Sequence, residues 1–208
     1  MTQEIELKYQ FMNNADFQRV LDIFMKITVG PIEKLKQKNI LFDTPALDLR
    51  KNNFILRLRR QNKFYYLCSK QKINNYEHNN LFVRQELEVK ISKYQAKLIL
   101  KHELSRQEIL GDLIKLDQRI VPELRPIGYF CTLRTKIPVI INNLKLYIEL
   151  DKTTYEDKSE YYELEIEFNS ASDANLINPA VKNLLDQAGI KTSAVMAKST
   201  RLYKKLFD

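Results

Sequence analysis

The chain has 208 residues, and 34 Lys and Arg residues against 26 Asp and Glu residues give a formal net charge of +8. This length suits one domain over residues 1–208, and 44% hydrophobic with 29% charged residues is typical of a soluble globular protein, not of a disordered or membrane-spanning one. With only four Gly and two His residues, the sequence contains no glycine-rich phosphate loop and no multi-histidine metal site. A catalytic metal would therefore be bound by carboxylates, which favours Mg²⁺ or Mn²⁺.

The alternation of apolar and charged residues predicts strands along much of the chain. In chain order, the predicted strands are Gln3–Phe11, Gln37–Asp43, Asn53–Arg60, Lys63–Lys70, Leu81–Ile91, Tyr129–Ile141, Lys145–Tyr155 and Glu160–Phe168. Short polar turns at Gln61-Asn62 and Asn142-Asn143 are typical of hairpins, because Asn tolerates a positive φ angle.

Helical periodicity occurs mainly where the hairpins end. The predicted helices are Ala15–Lys26, Lys93–Glu103, Gln107–Leu116, Ala174–Ala188 and Ala194–Leu206. Eight strands with a few peripheral helices indicate an α+β fold built on an antiparallel sheet or barrel.

Two features of the sequence bear on compartment and partners. Cys68 and Cys131 are too few and too far apart for a disulfide framework, and the acidic start Met1–Glu6 does not resemble a signal peptide. No apolar run approaches the ~18 residues of a membrane span, so we expect a cytoplasmic protein without a membrane partner. The net charge indicates an anionic partner such as nucleic acid, lipid headgroups or a phosphorylated small molecule, or it serves solubility alone.

The polar face of nearly every predicted strand is charged. Glu163, Glu165 and Glu167, for example, lie on one face at a spacing of about 6–7 Å, where they repel one another unless cations separate them. One interpretation is a solvated outer face with cross-strand ion pairs worth ~0.2–1 kcal/mol each. The other is a barrel with a charged interior, which would place carboxylates for metal ions beside Arg and Lys for phosphate oxygens, as metal-assisted phosphoryl chemistry requires.

Five segments in order resemble the CYTH superfamily, the triphosphate tunnel metalloenzymes. The segment Glu4-Ile5-Glu6-Leu7-Lys8 reproduces the E-x-E-x-K motif of that family. The further matching segments are Phe42–Arg50 with Leu56–Arg59, Lys70 with Arg84–Glu88, Glu163–Glu167, and Lys198–Arg201, so the resemblance spans residues 2–204. It implies an eight-stranded antiparallel β-barrel that forms a charged tunnel, with flanking helices, and it implies Mg²⁺ or Mn²⁺ as cofactor.

The resemblance also implies roles for individual residues. The expected metal ligands are Glu4, Glu6, Asp151, Glu165 and Glu167. The expected substrate-binding residues are Lys8, Arg57, Arg59, Lys70, Arg134, Lys136 and Lys198. Lys8, Arg57, Arg59 and Asp151 are expected to act on the reacting phosphate, and the rest of the tunnel lining is expected to comprise Arg84, Glu86, Glu88, Glu149 and Glu163.

The bacterial inorganic triphosphatases are the members that the sequence resembles most, which implies hydrolysis of tripolyphosphate to pyrophosphate and phosphate. A class IV adenylyl cyclase, a thiamine triphosphatase or a nucleoside triphosphatase remains open as an alternative. A non-catalytic module that binds polyphosphate or RNA is the alternative outside the enzymes. The expected partner is a small molecule that carries a triphosphate rather than a nucleic acid, and the sequence leaves the oligomeric state open.

Overall fold

Long strands dominate the computed structural model, which describes residues 2–72, 80–101 and 123–208. The described strands are β1 Thr2–Phe11, β2 Glu33–Asp43, β3 Phe54–Gln61, β4 Phe64–Lys72, β5 Leu81–Ile91, β6 Arg125–Ile141, β7 Leu144–Tyr155, β8 Glu160–Phe168 and β9 Thr192–Ser193. The described helices are α1 Asn14–Lys26, α2 Asp48–Lys51, α3 Lys93–Lys101, α4 Ala171–Gln187 and α5 Lys198–Phe207. The predicted helix Gln107–Leu116 and the end of the predicted helix Lys93–Glu103 lie outside the described residues.

The first eight strands close into a barrel. Neighbouring strands follow the order β5-β4-β3-β2-β6-β7-β8-β1, and β1 also pairs with β5, so the sheet closes on itself. All these pairings are antiparallel. The predicted eight-stranded antiparallel barrel is therefore confirmed, and β9 adds a short pairing to the end of β1.

Asparagines form the hairpin turns. Asn142 and Asn143 have φ angles of 48° and 63° and join β6 to β7 in a two-residue loop, as predicted. The β3–β4 turn lies one residue later than predicted, because Gln61 still pairs with Phe64. Asn62 supplies the positive φ of 51° there.

The helices cover the apolar outer face of the barrel. Ile5 and Leu7 of β1 point outward into a core that Phe17 and Val20 of α1 and Val181 of α4 complete. Removing these side chains from water stabilises the fold by about 25 cal/mol for each Å² of apolar surface buried. Because the outer face of β1 is apolar, the charged residues that alternate with it, Glu4, Glu6 and Lys8, point into the barrel.

Helix α5 lies at the barrel end where β1 finishes. Its Leu202 and Tyr203 pack against Leu41, Phe130 and Tyr155. This helix begins at Lys198, four residues later than the predicted start at Ala194, because the backbone at Ala197 is still extended, with φ −58° and ψ 143°.

Two strands begin four residues earlier than their sequence pattern indicated. Strand β2 begins at Glu33 rather than Gln37, and β6 begins at Arg125 rather than Tyr129, because the two strands pair along their whole length from Glu33–Lys136 to Asp43–Arg125. Among the described residues, no helix has the length and apolar character needed to cross a bilayer.

Candidate functional site

A cavity of about 400 Å³ runs through the barrel. In the described part of its lining, eight carboxylates face eight cationic side chains. The carboxylates are those of Glu4, Glu6, Glu86, Glu88, Glu149, Asp151, Glu165 and Glu167, and the cations are those of Lys8, Arg57, Arg59, Lys70, Arg84, Arg134, Lys136 and Lys198. The structure thus brings together every predicted site residue except Glu163.

Strand register explains the first ion pairs of the tunnel. Lys8 of β1 lies directly opposite Glu165 of β8, and its Nζ donates to Glu165 Oε1 at 2.7 Å. The same Nζ is 3.0 Å from Glu6 Oε1, two residues away on the same face of β1. All three side chains are almost inaccessible to solvent. Burial alone would lower the pKa of Lys8, but the charges of Glu165 and Glu6 raise it above its ordinary value, so Lys8 stays charged.

Arg134 of β6 forms the most extensive set of contacts in the tunnel. Its Nε and Nη2 donate to the two oxygens of Asp151 at 2.8 and 2.7 Å, which is the bidentate geometry that suits a guanidinium. Nη2 also donates to Glu165 Oε2 at 2.6 Å, and Nη1 pairs with Glu149. Burial opposes ionisation of Asp151, but the charges of Arg134 and Lys198 keep its pKa below the ordinary value.

Lys198 enters the tunnel from the first turn of α5. Its Nζ lies 2.6 Å from Glu165 Oε1, 2.8 Å from Asp151 Oδ2 and 3.0 Å from Glu163 Oε2. Burial alone would lower the pKa of Lys198, but the charges of these carboxylates raise it well above its ordinary value. The C-terminal helix therefore contributes a fixed positive charge to the interior of the barrel.

Glu163 does not line the cavity, which corrects its predicted place in the tunnel wall. It is fully buried behind the first turn of α5, where Arg201 Nη2 donates to its Oε1 at 3.1 Å. The same nitrogen donates to Gln10 Oε1 at 2.7 Å and to the Met196 carbonyl at 2.6 Å. Glu163 shares a strand face with Glu165, but α5 covers that face at the depth of Glu163, so Glu163 holds the helix rather than the cavity contents.

The wall formed by β3, β4 and β5 carries a second group of ion pairs. Lys70 Nζ donates to both oxygens of Glu4, at 2.6 and 2.7 Å. The remaining pairs are looser and join Arg57 to Glu86 at 3.4 Å, Arg59 to Glu88 at 3.0 Å and Arg84 to Glu6 at 3.6 Å.

Neutral polar side chains of the tunnel were not predicted. Gln37, Asn39 and Thr132 line the cavity and are buried. Asn39 Oδ1 accepts a hydrogen bond from Arg59 Nε at 3.3 Å, so Asn39 orients the side chain of Arg59, a predicted substrate-binding residue. The signal was present in the alternation of Gln37 and Asn39 with lysines along β2, but it was weaker than a charged pattern.

Negative charge accumulates at one corner of the tunnel. Glu167 is accessible to solvent at the mouth and yet lies among other carboxylates. Partial desolvation, together with the charges of Glu149 and Glu4, raises the pKa of Glu167 to about 7. Lys136 Nζ, which is 3.1 Å from Glu149 Oε1, offsets part of this charge.

The donor set of the tunnel suits a hard divalent cation, because every acidic side chain in the described part of its lining is a carboxylate. Glu6 Oε1 and Glu149 Oε2 are buried and accept no well-aligned hydrogen bond from the described residues, although each lies near a cation. Within residues 2–72, 80–101 and 123–208, no three Asp, Glu, His or Cys side chains converge on one metal position, because Lys and Arg side chains separate them. The carboxylates therefore fit a metal chemically, and the cations between them would have to move for a close metal cage to form.

Comparison with known proteins gives a consistent picture. The family model described as the CYTH domain matches residues 2–203. Members of this family generally depend on a divalent metal. A search of curated proteins finds no significant match.

Solved structures share the fold over nearly the whole chain. A Hippeastrum protein studied as an adenylyl cyclase and found to have a dominant triphosphatase activity is 22% identical, with 97% of this chain and 95% of that chain covered and a TM-score of 0.77. A Bacillus halodurans protein assigned as an adenylate cyclase is 23% identical with both chains fully covered and a TM-score of 0.66. The triphosphatase of the Mimivirus capping enzyme is 14% identical, with coverages of 89% and 88% and a TM-score of 0.52.

Proposed function

Because the chain belongs to the CYTH family, we propose that its tunnel binds a triphosphate and hydrolyses one phosphoanhydride bond with a divalent metal. The proposed substrate is inorganic tripolyphosphate, which water splits into pyrophosphate and phosphate. The observation that carries the proposal is the charge balance of the cavity, in which the described cations and carboxylates are equal in number.

This balance has a consequence for binding. A triphosphate brings several negative charges into a cavity where they must be compensated. The cations of the tunnel are already paired, as Lys8 is with Glu165 and Lys70 with Glu4. When phosphate oxygens bind these cations, the carboxylates left behind repel the substrate and one another, so the complex needs additional positive charge.

We assign the metal ligands to Glu4, Glu6, Asp151, Glu165 and Glu167, and we propose Mg²⁺ or Mn²⁺ as the ion. A divalent ion bound there polarises phosphate oxygens and lowers the pKa of a bound water. The carboxylates released from their ion pairs supply the oxygen ligands that such ions prefer.

The chain's own cations bind and orient the substrate. We propose that the phosphate oxygens are bound by Lys8, Arg57, Arg59, Lys70, Arg134, Lys136 and Lys198. An arginine holds two oxygens with its planar fork, which fixes the rotation of a phosphate group, whereas a lysine acts as a point charge. Arg134 and Lys198 reach the same region of the tunnel from opposite elements, β6 and α5, so they clamp the substrate between the barrel wall and the helix.

Asp151 is the residue that we propose as the water-orienting group. It is fully buried, and its pKa is held below the ordinary value by Arg134 and Lys198 against the effect of burial. An ionised carboxylate accepts a hydrogen bond from water and so directs a water lone pair at the phosphorus. We therefore assign Asp151 to orient the attacking water.

A second candidate function is chemistry on a nucleoside or thiamine triphosphate, including cyclisation by a class IV adenylyl cyclase. The observation that favours it is a cavity of about 410 Å³ that adjoins the tunnel and is lined partly by Phe54, Phe82 and Tyr203, which could accommodate an organic group.

Three further expectations from the sequence stay predictions. They are a location in the cytoplasm, a single domain over residues 1–208 and the absence of a nucleic acid partner.

A panel of phosphate-release assays tests the proposal. The purified chain is incubated with tripolyphosphate, ATP or thiamine triphosphate in Mg²⁺, in Mn²⁺ or in EDTA, and cyclic AMP is measured in parallel. The proposal expects the highest kcat/KM with tripolyphosphate and no release in EDTA. A higher kcat/KM with a nucleoside or thiamine triphosphate, or production of cyclic AMP, would replace tripolyphosphate by the second candidate. Inactivity on all substrates would favour a binding module instead.

A further inference from the structure

The two mouths of the tunnel carry opposite charges. At the end where β4 finishes, β5 begins and α5 starts, a cavity of about 410 Å³ opens, which we call the helix mouth. At the end where β7 begins and β8 finishes, a cavity of about 510 Å³ opens, which we call the hairpin mouth. Because neighbouring strands are antiparallel all round the barrel, these positions lie at opposite ends of the tunnel.

The helix mouth is cationic. Its described lining contains no carboxylate and four cationic side chains, those of Arg50, Lys70, Lys72 and Arg84. Arg50 pairs with Asp208 at 3.1 Å and Lys70 pairs with Glu4, and both of these carboxylates lie outside the lining of the mouth. Lys70 and Arg84 also line the tunnel, so the mouth and the interior share these two cations.

The hairpin mouth is anionic. The described carboxylates that line it are those of Glu4, Glu86, Glu149, Glu167 and Asp173. Two lysines, Lys136 and Lys145, oppose them and leave a negative excess. Glu4, Glu149 and Glu167 are shared with the tunnel, so this negative surface is continuous with the assigned metal ligands.

Charged mouths of this kind act on approaching ions. A cleft lined by one sign of charge concentrates ions of the opposite sign and raises their association rate by about 10- to 1,000-fold. The effect extends over the Debye length of about 8 Å at physiological ionic strength, which is comparable with the size of a mouth. Each mouth therefore attracts one of the two ions that the reaction needs and repels the other.

We propose that the helix mouth is an anion-docking site through which the triphosphate compound enters the tunnel, whereas divalent cations reach their ligands through the hairpin mouth. The inference rests on the proposed function and adds a direction to it. An entering phosphate chain meets Lys72 and Arg50 at the surface, then Lys70 and Arg84, and then the interior cations. Ions of opposite sign approach from opposite ends, so neither has to pass the surface that repels it.

Matched charge reversals at the two mouths test the anion route. Lys72→Glu acts at the helix mouth and Lys145→Glu at the hairpin mouth, and both lysines are exposed and outside the assigned catalytic machinery. Each variant changes the net charge equally, so a difference between them reports position. The measured quantity is the association rate constant of tripolyphosphate with the chain preincubated in saturating Mg²⁺, followed in a stopped-flow instrument by the fluorescence of the 11 tyrosines, which no Trp obscures.

The expected result is a rate constant about fivefold lower for Lys72→Glu at low ionic strength, with the difference disappearing in high salt. The rate constant of Lys145→Glu should equal or exceed that of the wild type. An equal loss in the two variants, or a larger loss with Lys145→Glu, would overturn the proposed direction. Thermal melting confirms that both variants are folded.

The cation route has its own pair of variants. Asp173→Lys at the hairpin mouth should raise the Mg²⁺ concentration for half-maximal phosphate release about threefold, since it repels cations there. Asp22→Lys on the exposed surface of α1 makes the same charge change away from both mouths and should leave this concentration unaltered. Equal shifts in the two variants would contradict the cation route.

Different experimental results would contradict the proposed direction of entry and the proposed function. If the wild-type chain neither binds nor hydrolyses tripolyphosphate, the proposed function is wrong and the mouths have no such role. If the wild type binds and hydrolyses tripolyphosphate but the two mouths respond alike, only the direction is wrong.

Discussion

Lys198 on the C-terminal helix forms a 2.8 Å ion pair with Asp151, a residue in the middle of the barrel wall. The 46 residues between them include β8 and α4. The pair joins the last helix to the strand that carries the proposed water-orienting carboxylate. This contact thus connects the packing of α5 against the barrel with the set of charged side chains that line the tunnel.

Replacing Lys198 tests whether this helix contributes to the reaction. Lys198→Met removes a charge-assisted contact that is worth about 1.5–3 kcal/mol, which corresponds to a loss of roughly 10- to 150-fold in kcat/KM for tripolyphosphate. Lys198→Arg keeps the charge and should recover part of the loss. Lys204→Met, on the exposed side of the same helix, is the control and should match the wild type. An unchanged kcat/KM in Lys198→Met would remove Lys198 from the substrate-binding set.

The hydroxyl of Tyr203 secures α5 from the other side. It donates to Asp43 Oδ2 at 2.6 Å in a buried site, and the other oxygen of Asp43 accepts from the backbone nitrogens of Thr44 and Leu49 at 2.8 and 2.9 Å. Tyr203→Phe should lower the free energy of unfolding by about 1.5–3 kcal/mol, the range for a hydrogen bond to a charged group. Urea denaturation measures the change. Tyr94→Phe, at a largely exposed position, should have no effect, and equal stabilities for the two variants would contradict the role of Tyr203.

Buried tyrosines predict a loss of stability in alkali. Burial raises the pKa of Tyr9 and of Tyr155 to about 12, while an unfolded tyrosine titrates near 10. Because the folded-state pKa is the higher one, the unfolded chain loses its proton first, so the tyrosine contribution to stability is constant below pH 10 and is lost as the pH rises from 10 to 12. Each such residue contributes at most about 1.4 kcal/mol per pH unit in that window. Urea denaturation at a series of pH values measures the slope, which should be shallower in Tyr155→Phe, and identical slopes would contradict the prediction.

The two cysteines should differ in reactivity. Cys68 is fully buried, and burial raises the pKa of its thiol to about 12, whereas Cys131 is exposed. Because the thiolate is the reactive species, a thiol reagent at pH 8 should modify one cysteine in the native chain and two after denaturation. Cys131→Ser should remove the native reaction. Rapid modification of Cys68 in the folded protein would show that the β3–β4 wall opens.

The sequence predicted the barrel well because alternation along a strand is a local property. Glu4, Glu6 and Lys8 alternate with apolar residues, and this pattern alone indicates that they share one face. The family resemblance then placed that face inside the barrel. Sixteen of the predicted site residues accordingly line one cavity.

What the sequence missed depends on contacts between distant segments. Glu163 has the same alternation as Glu165, but only the docking of Arg201 against it decides that it is covered. The pairing of Thr192 and Ser193 with β1 as β9 was not predicted either, because no local periodicity contains it. The ion pairs that separate the expected metal ligands are likewise a result of strand register, which composition does not specify.

The most direct test of the central claim is the initial rate of phosphate release from tripolyphosphate in Mg²⁺ and in EDTA, for the wild type and for Glu6→Gln. Glu6 is a buried tunnel carboxylate. The control is Glu33→Gln, which makes the same substitution at an exposed position. The account predicts metal-dependent release by the wild type and by Glu33→Gln, and loss of most of this release in a folded Glu6→Gln variant. Near-normal turnover in Glu6→Gln, or equal rates of the wild type in Mg²⁺ and in EDTA, would contradict a metal-dependent triphosphate hydrolase built on the tunnel carboxylates.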